Sequence, residues 1–223
     1  MRTITVAAVV GVALAASAAS AQQAILSFGF TELAGSYNAT SQTFLAVGVD
    51  QGVGQPLRST GDVTRLQQPS SGTASYDPGF AAGLVSVNLN VSAILATTAN
   101  GAGQIQITDS NGDFLSANVA GGFIRNGSAV FFNGTLTGAA FTSVSGDGMF
   151  NGPSGGSFPL SFAPAAGPFE GYVIQLYVGS PGNFFTGSFS GVSTQVSGEI
   201  IPGPASLATL GLGIAAFGRR RRR

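Results

Sequence analysis

The chain has 223 residues, of which 44% are hydrophobic and only 8% charged, with 34 glycines, 17 phenylalanines and no cysteine, histidine, lysine or tryptophan. Those absences exclude a disulfide framework, histidine metal centres, Ser-His-Asp and Cys-His machinery and Schiff-base lysines. The formal charge is zero, but most of the arginines sit at the chain ends and every acid lies between them.

At the start, Met1-Arg2 is a short positive region, Ile4 to Ala16 an apolar run, and Ala19-Ser20-Ala21 an A-x-A cleavage site. Together they predict a secretory signal peptide over residues 1–21, helical before cleavage between Ala21 and Gln22 by signal peptidase. Residues 22–200 then form a single domain, since no shift of composition or charge block divides them.

Within that domain the dominant signal has period two. From Leu84 to Ser92, Val85, Val87, Leu89 and Val91 alternate with Ser86, Asn88 and Asn90, as a strand with one buried face requires. Further strands are expected at Ala24–Thr31, Thr43–Val49, Gly61–Leu66, Gly103–Thr108, Phe114–Val119, Ala129–Thr137, Ser157–Phe162, Gly171–Val178, Phe184–Ser190 and Val192–Ile200. Turn pairs punctuate them: Asn100-Gly101, Asn111-Gly112, Gly121-Gly122, Asn126-Gly127, Asp147-Gly148, Asn151-Gly152 and Pro181-Gly182. No internal stretch has capped helical periodicity. The expected class is all-β, an antiparallel sandwich or jelly roll, with a β-barrel or β-helix as alternatives. The Asn-Gly pairs recur at irregular intervals, which disfavours the β-helix.

Four features bear on chemistry. Asp109, Asn111 and Asp113 place side-chain oxygens at i, i+2 and i+4, a spacing that could converge on calcium, the one cofactor the sequence suggests. An Asn-Gly hairpin turn between two strands accounts for the same residues, and Phe114 stands where an EF-hand loop needs glycine. Phe131-Phe132, Phe184-Phe185, Tyr172 and Tyr177 could stack on sugar rings if exposed, although neighbouring phenylalanines on a strand send one ring to each face. The nine acids are scattered singly, mostly beside turn residues with Glu32, Glu170 and Glu199 nearer strands, and no spacing pairs two of them for glycoside hydrolysis, so no catalytic residue stands out and no enzyme is expected. Asn38, Asn90, Asn126 and Asn133 open Asn-x-Ser/Thr triplets, which arise readily in such a composition.

The chain ends on Pro202-Gly203-Pro204, an apolar run from Ala205 to Phe217, Gly218 and the block Arg219, Arg220, Arg221, Arg222 and Arg223. As a helix, Ala205 to Gly218 would be about 21 Å long at roughly 1.5 Å per residue, against a hydrocarbon core of about 30 Å, which suits a temporary membrane stop better than a permanent span. The arginines hold their end in the cytoplasm, and the prolines keep the preceding backbone extended. This order of motif, apolar helix and arginine block resembles the PEP-CTERM sorting signal over residues 201–223, with Gly203 where the family usually has glutamate. The resemblance implies a bacterial protein exported to the cell surface, envelope or extracellular matrix, and processing by an exosortase-like membrane transpeptidase. The alternative is a plain C-terminal tail anchor.

Without both signals only Arg58, Arg65 and Arg125 face nine acids, a net charge of about −6, which removes the electrostatic basis for binding nucleic acid. The expectation is a structural or interaction protein of the envelope or matrix. The alternative is a module that binds extracellular polysaccharide, with or without calcium.

Overall fold

The computed structural model describes residues 24–49, 59–66, 71–77, 83–160, 169–179 and 184–202, with backbone alone at 169–173 and 202. The described residues form twelve strands: β1 (Leu26–Asn38), β2 (Thr43–Val47), β3 (Thr60–Arg65), β4 (Gly72–Ser75), β5 (Val85–Ser92), β6 (Thr98–Thr108), β7 (Phe114–Asn126), β8 (Ala129–Thr142), β9 (Met149–Asn151), β10 (Ser157–Pro159), β11 (Phe169–Val178) and β12 (Phe189–Pro202). The signal peptide and the C-terminal apolar helix lie outside the described residues, as does the expected Pro181-Gly182 turn.

Eight strands, in the order β1-β2-β5-β6-β7-β8-β11-β12, form a sheet that closes on itself because β12 pairs with β1 from Leu26↔Ile200 to Tyr37↔Phe189. Every pairing is antiparallel. The chain is thus all-β, as its alternation predicts, but a closed barrel rather than a two-sheet sandwich or jelly roll. Period two specifies one buried face per strand and is blind to closure, which here depends on the first strand finding the last.

The free edge of β1 is divided between two partners. Its first half, Leu26 to Thr31, pairs with β3, and its second half, Ala34 to Asn38, with β2. Consequently β3 and β4 splay from the wall at one end of the barrel. There the loop after β9 pairs with β4, Ser75 N donating to Gly155 O at 2.9 Å and Ser154 N to Ser75 O at 3.0 Å, so the β4 edge is covered.

Alternation sends Val85, Val87, Leu89 and Val91 inward, all at most 1% exposed, with Asn88 and Asn90 outward. Rings fill both mouths. At one, Phe185 lies 4.8 Å from both Phe123 and Tyr37, and Phe44 lies 5.7 Å from Phe123. Phe185 adopts a left-handed backbone, φ 49°, to aim its ring there. At the other mouth Phe30, Tyr76, Phe150 and Phe158 follow one another at 5.2, 6.4 and 5.7 Å between successive centroids, the first pair edge to face and the last stacked. A small barrel whose interior holds this many rings is a packed core. The described outward side chains of β5–β8, β11 and β12 are mainly Asn, Gln, Thr and Ser, the reverse of the apolar belt on a barrel that spans a membrane.

Candidate functional site

Outward residues of four adjacent strands, β8, β11, β12 and β1, frame a trough of about 340 Å³ on the barrel wall. Register explains its lining. Phe131 on β8 faces Tyr177 on β11, Asn133 faces Gln175, and Gln175 in turn faces Ser197 on β12. Ser197 is paired with Gly29 on β1, where a Cβ would have no atom within 4 Å, so the floor on that side is open. Gln195, opposite Tyr177, adds another carboxamide.

Phe131 and Tyr177 are each 39% exposed and meet edge to face at 5.4 Å, and Ile124, opposite Phe131 on β7, is exposed beside them. Their neighbours in sequence, Phe132 and Leu176, are buried, as strand alternation demands. Of the other aromatic candidates, Phe184 and Phe185 are both buried, which assigns them to the core; the Tyr172 side chain lies outside the described residues. A second outward face, on β2, β5, β6 and β7, carries Thr43, Asn88, Asn90, Gln104 and Asn118 but no ring.

Asp109, Asn111 and Asp113 form the connection between β6 and β7, the hairpin expected from Asn111-Gly112. Both aspartates are buried, at 1% and 0% exposure, which their scattering beside turn residues did not suggest. Asp109 Oδ1 accepts from the amides of Asn111 at 2.7 Å and Asp113 at 3.0 Å, and Oδ2 accepts from the amide of Asn151 at 2.9 Å. Asp113 Oδ1 accepts from Ser145 N at 2.6 Å, and Oδ2 from Ser145 Oγ at 2.6 Å and Ser143 Oγ at 3.4 Å. Burial alone would raise the Asp113 pKa. Hydrogen bonds from the Ser145 side chain and backbone, the Val144 backbone and the Ser143 hydroxyl outweigh it and hold the carboxyl below the ordinary aspartate range.

These carboxylates tie the β6–β7 turn to β9 and to the segment before it, and a cation there would have to displace the donors they already hold. The Asn111 side chain is on an exposed residue of the turn. Among the described residues no three His, Cys, Asp or Glu side chains converge on a point that could hold a metal ion. The Asx pattern at Asp109 was readable locally, but the serines that meet Asp113 are separated from it by all of β7 and β8.

Pro202 is the last residue of β12, and the rest of the sorting motif, Gly203 and Pro204, lies outside the described residues with Arg219–Arg223 and the cleavage residues Ala19 and Ala21. The four Asn-x-Ser/Thr asparagines are all exposed, Asn133 within the trough. No protein-family model matches the chain, no curated protein matches it in sequence, and no solved structure matches it.

Proposed function

We propose that this chain is an exported, non-catalytic interaction protein of the bacterial cell envelope or extracellular matrix, delivered by its signal peptide and sorted by an exosortase-like transpeptidase. The observation that supports this reading is the junction at Pro202. The wall is already closed by β12 when the chain reaches the motif, and the proline, which lacks an amide hydrogen, ends the ladder there. The apolar run and arginine block are therefore dispensable for closing the barrel, as a removable signal must be. Membrane contact belongs to the tail before processing, while the barrel presents its polar wall to the outside.

The test is an intact mass with C-terminal peptide mapping of the protein recovered from its own cells, fractionated into membrane, surface and medium. Sorting predicts a chain that starts at Gln22, ends at or near residues 202–204, and is found at the surface or in the medium. An uncleaved chain confined to the membrane fraction would replace the sorting reading with a tail anchor.

A further inference from the structure

We infer that the trough on the β8-β11-β12-β1 wall is a binding site for a neutral, hydroxyl-rich polysaccharide. The inference deepens the proposal of an envelope or matrix interaction protein by naming its partner. It rests on that reading only for where the ligand is met.

Three properties of the trough select this ligand. Its rings, with Ile124 opposite Phe131 on β7, are the exposed apolar part of a wall that is mainly polar, and exposed aromatic rings stack on the C–H faces of sugars. Beside the rings stand the carboxamides of Asn133, Gln175 and Gln195, each both donor and acceptor, which suits hydroxyl groups that are themselves both. Finally, the lining carries no ionisable acid or base apart from the Tyr177 phenol, so a neutral ligand enters without desolvating an ion.

Among the described residues, charge also favours a neutral ligand over an acidic one. An acidic polysaccharide needs guanidinium or ammonium partners. The described cations are Arg65, buried at 6% exposure near the start of β1, and Arg125, whose Nε donates to the Gly127 carbonyl at 3.1 Å at the β7–β8 turn. Neither lines the trough. The lining spans four strands, about 14 Å at roughly 4.8 Å per gap, which fits an extended chain of sugars better than a single ring.

Gly29 makes the site testable without damaging the fold. Because a Cβ there would meet nothing within 4 Å, Gly29→Val fills the floor of the trough with a side chain that strands favour. The experiment is affinity electrophoresis and direct binding of the protein from its own cells to the host's extracellular polysaccharide, separated by anion exchange into neutral and acidic fractions. The neutral fraction should retard the protein and the acidic fraction should not. Tyr177→Ala and Gly29→Val should each weaken binding at least about tenfold, with melting temperatures held within about 3 °C. Failure of the neutral fraction to retard the wild type, preference for the acidic fraction, or retention that survives both substitutions would overturn the inference. Each of these outcomes is separate from the tail-processing result, because binding is read on the purified domain and processing on the C-terminal mass.

Discussion

The Asp113 carboxylate is fully buried and receives its hydrogen bonds from Ser143 and Ser145, on the far side of the β7–β8 hairpin. Its value to the fold depends on its charge, because ionised oxygens are the better acceptors for the two 2.6 Å contacts from Ser145 and the longer one from Ser143. The folded-state pKa lies below the ordinary value of 3.8, so the stabilisation is complete above that value and is lost as pH falls through the lower folded pKa. Asp113→Asn keeps the shape and removes the charge, leaving an amide facing donors. It should cost about 2 kcal/mol at pH 7. The gap between wild type and variant should narrow steadily below pH 3.8, as urea unfolding at a series of pH values would show. A gap that stays constant into acid would mean that the carboxylate acts by shape alone.

Strand β6 passes so close to β5 that a Cβ on Gly103 would overlap the Asn88 carbonyl oxygen and crowd the Leu89 Cα at 3.0 Å. These are backbone atoms of the neighbouring strand, which cannot step aside as a side chain can. Gly103→Ala should therefore lose about 3 kcal/mol, whereas Gly122→Ala, whose Cβ would find only the Ala99 oxygen at 3.8 Å, should stay within about 0.5 kcal/mol. Chemical denaturation of the two variants decides it, and equal losses would count against the close-approach account. The same glycines mark the limit of what the sequence discloses at this scale. Asn100-Gly101 and Gly121-Gly122 read as turns, yet Asn100 pairs with Gly122 and Gly101 with Gly121 in the middle of β6 and β7. A glycine needed for space looks like a glycine needed for a turn until the neighbouring strand is known. That is why the expected strands at Gly103–Thr108, Phe114–Val119 and Ala129–Thr137 extend to Thr98–Thr108, Phe114–Asn126 and Ala129–Thr142. Phe184 and Phe185, expected to open a strand, plug a mouth instead, and the end of that expected strand, Phe189 and Ser190, joins the expected strand Val192–Ile200 in β12. The short β4 and β9 carry too few residues to show a period. Of the trough, Phe131 and Tyr177 stood out in the sequence as aromatic candidates, but Gln175, Gln195 and Ser197 did not, because the adjacency of β8 with β11 across residues 143–168 has no local signal.

Closure of the whole barrel joins residues that are furthest apart in the chain. Ile25 N donates to Ile200 O at 2.8 Å, and the β1–β12 ladder runs from there to Tyr37↔Phe189. Until β12 arrives, both β1 and β11 present an unpaired edge and the trough lacks Gln195 and Ser197. Two truncations separate this role from that of the tail. Deletion of Ala205 to Arg223 leaves every pairing of β12 in place, and it should release a soluble domain into the medium whose melting temperature lies within about 3 °C of the processed protein. A chain stopped at Ser188 keeps seven of the eight wall strands and most of the interior apolar residues, but it loses the strand that satisfies two edges at once. It should show no cooperative melting transition and should associate through those edges, as seen by calorimetry and light scattering. Cooperative melting of the shorter chain would mean that the sheet is stable open and that the β1–β12 ladder is an accessory. Loss of folding on deletion of the tail would mean that the apolar run belongs to the domain, and the sorting reading would fall with it.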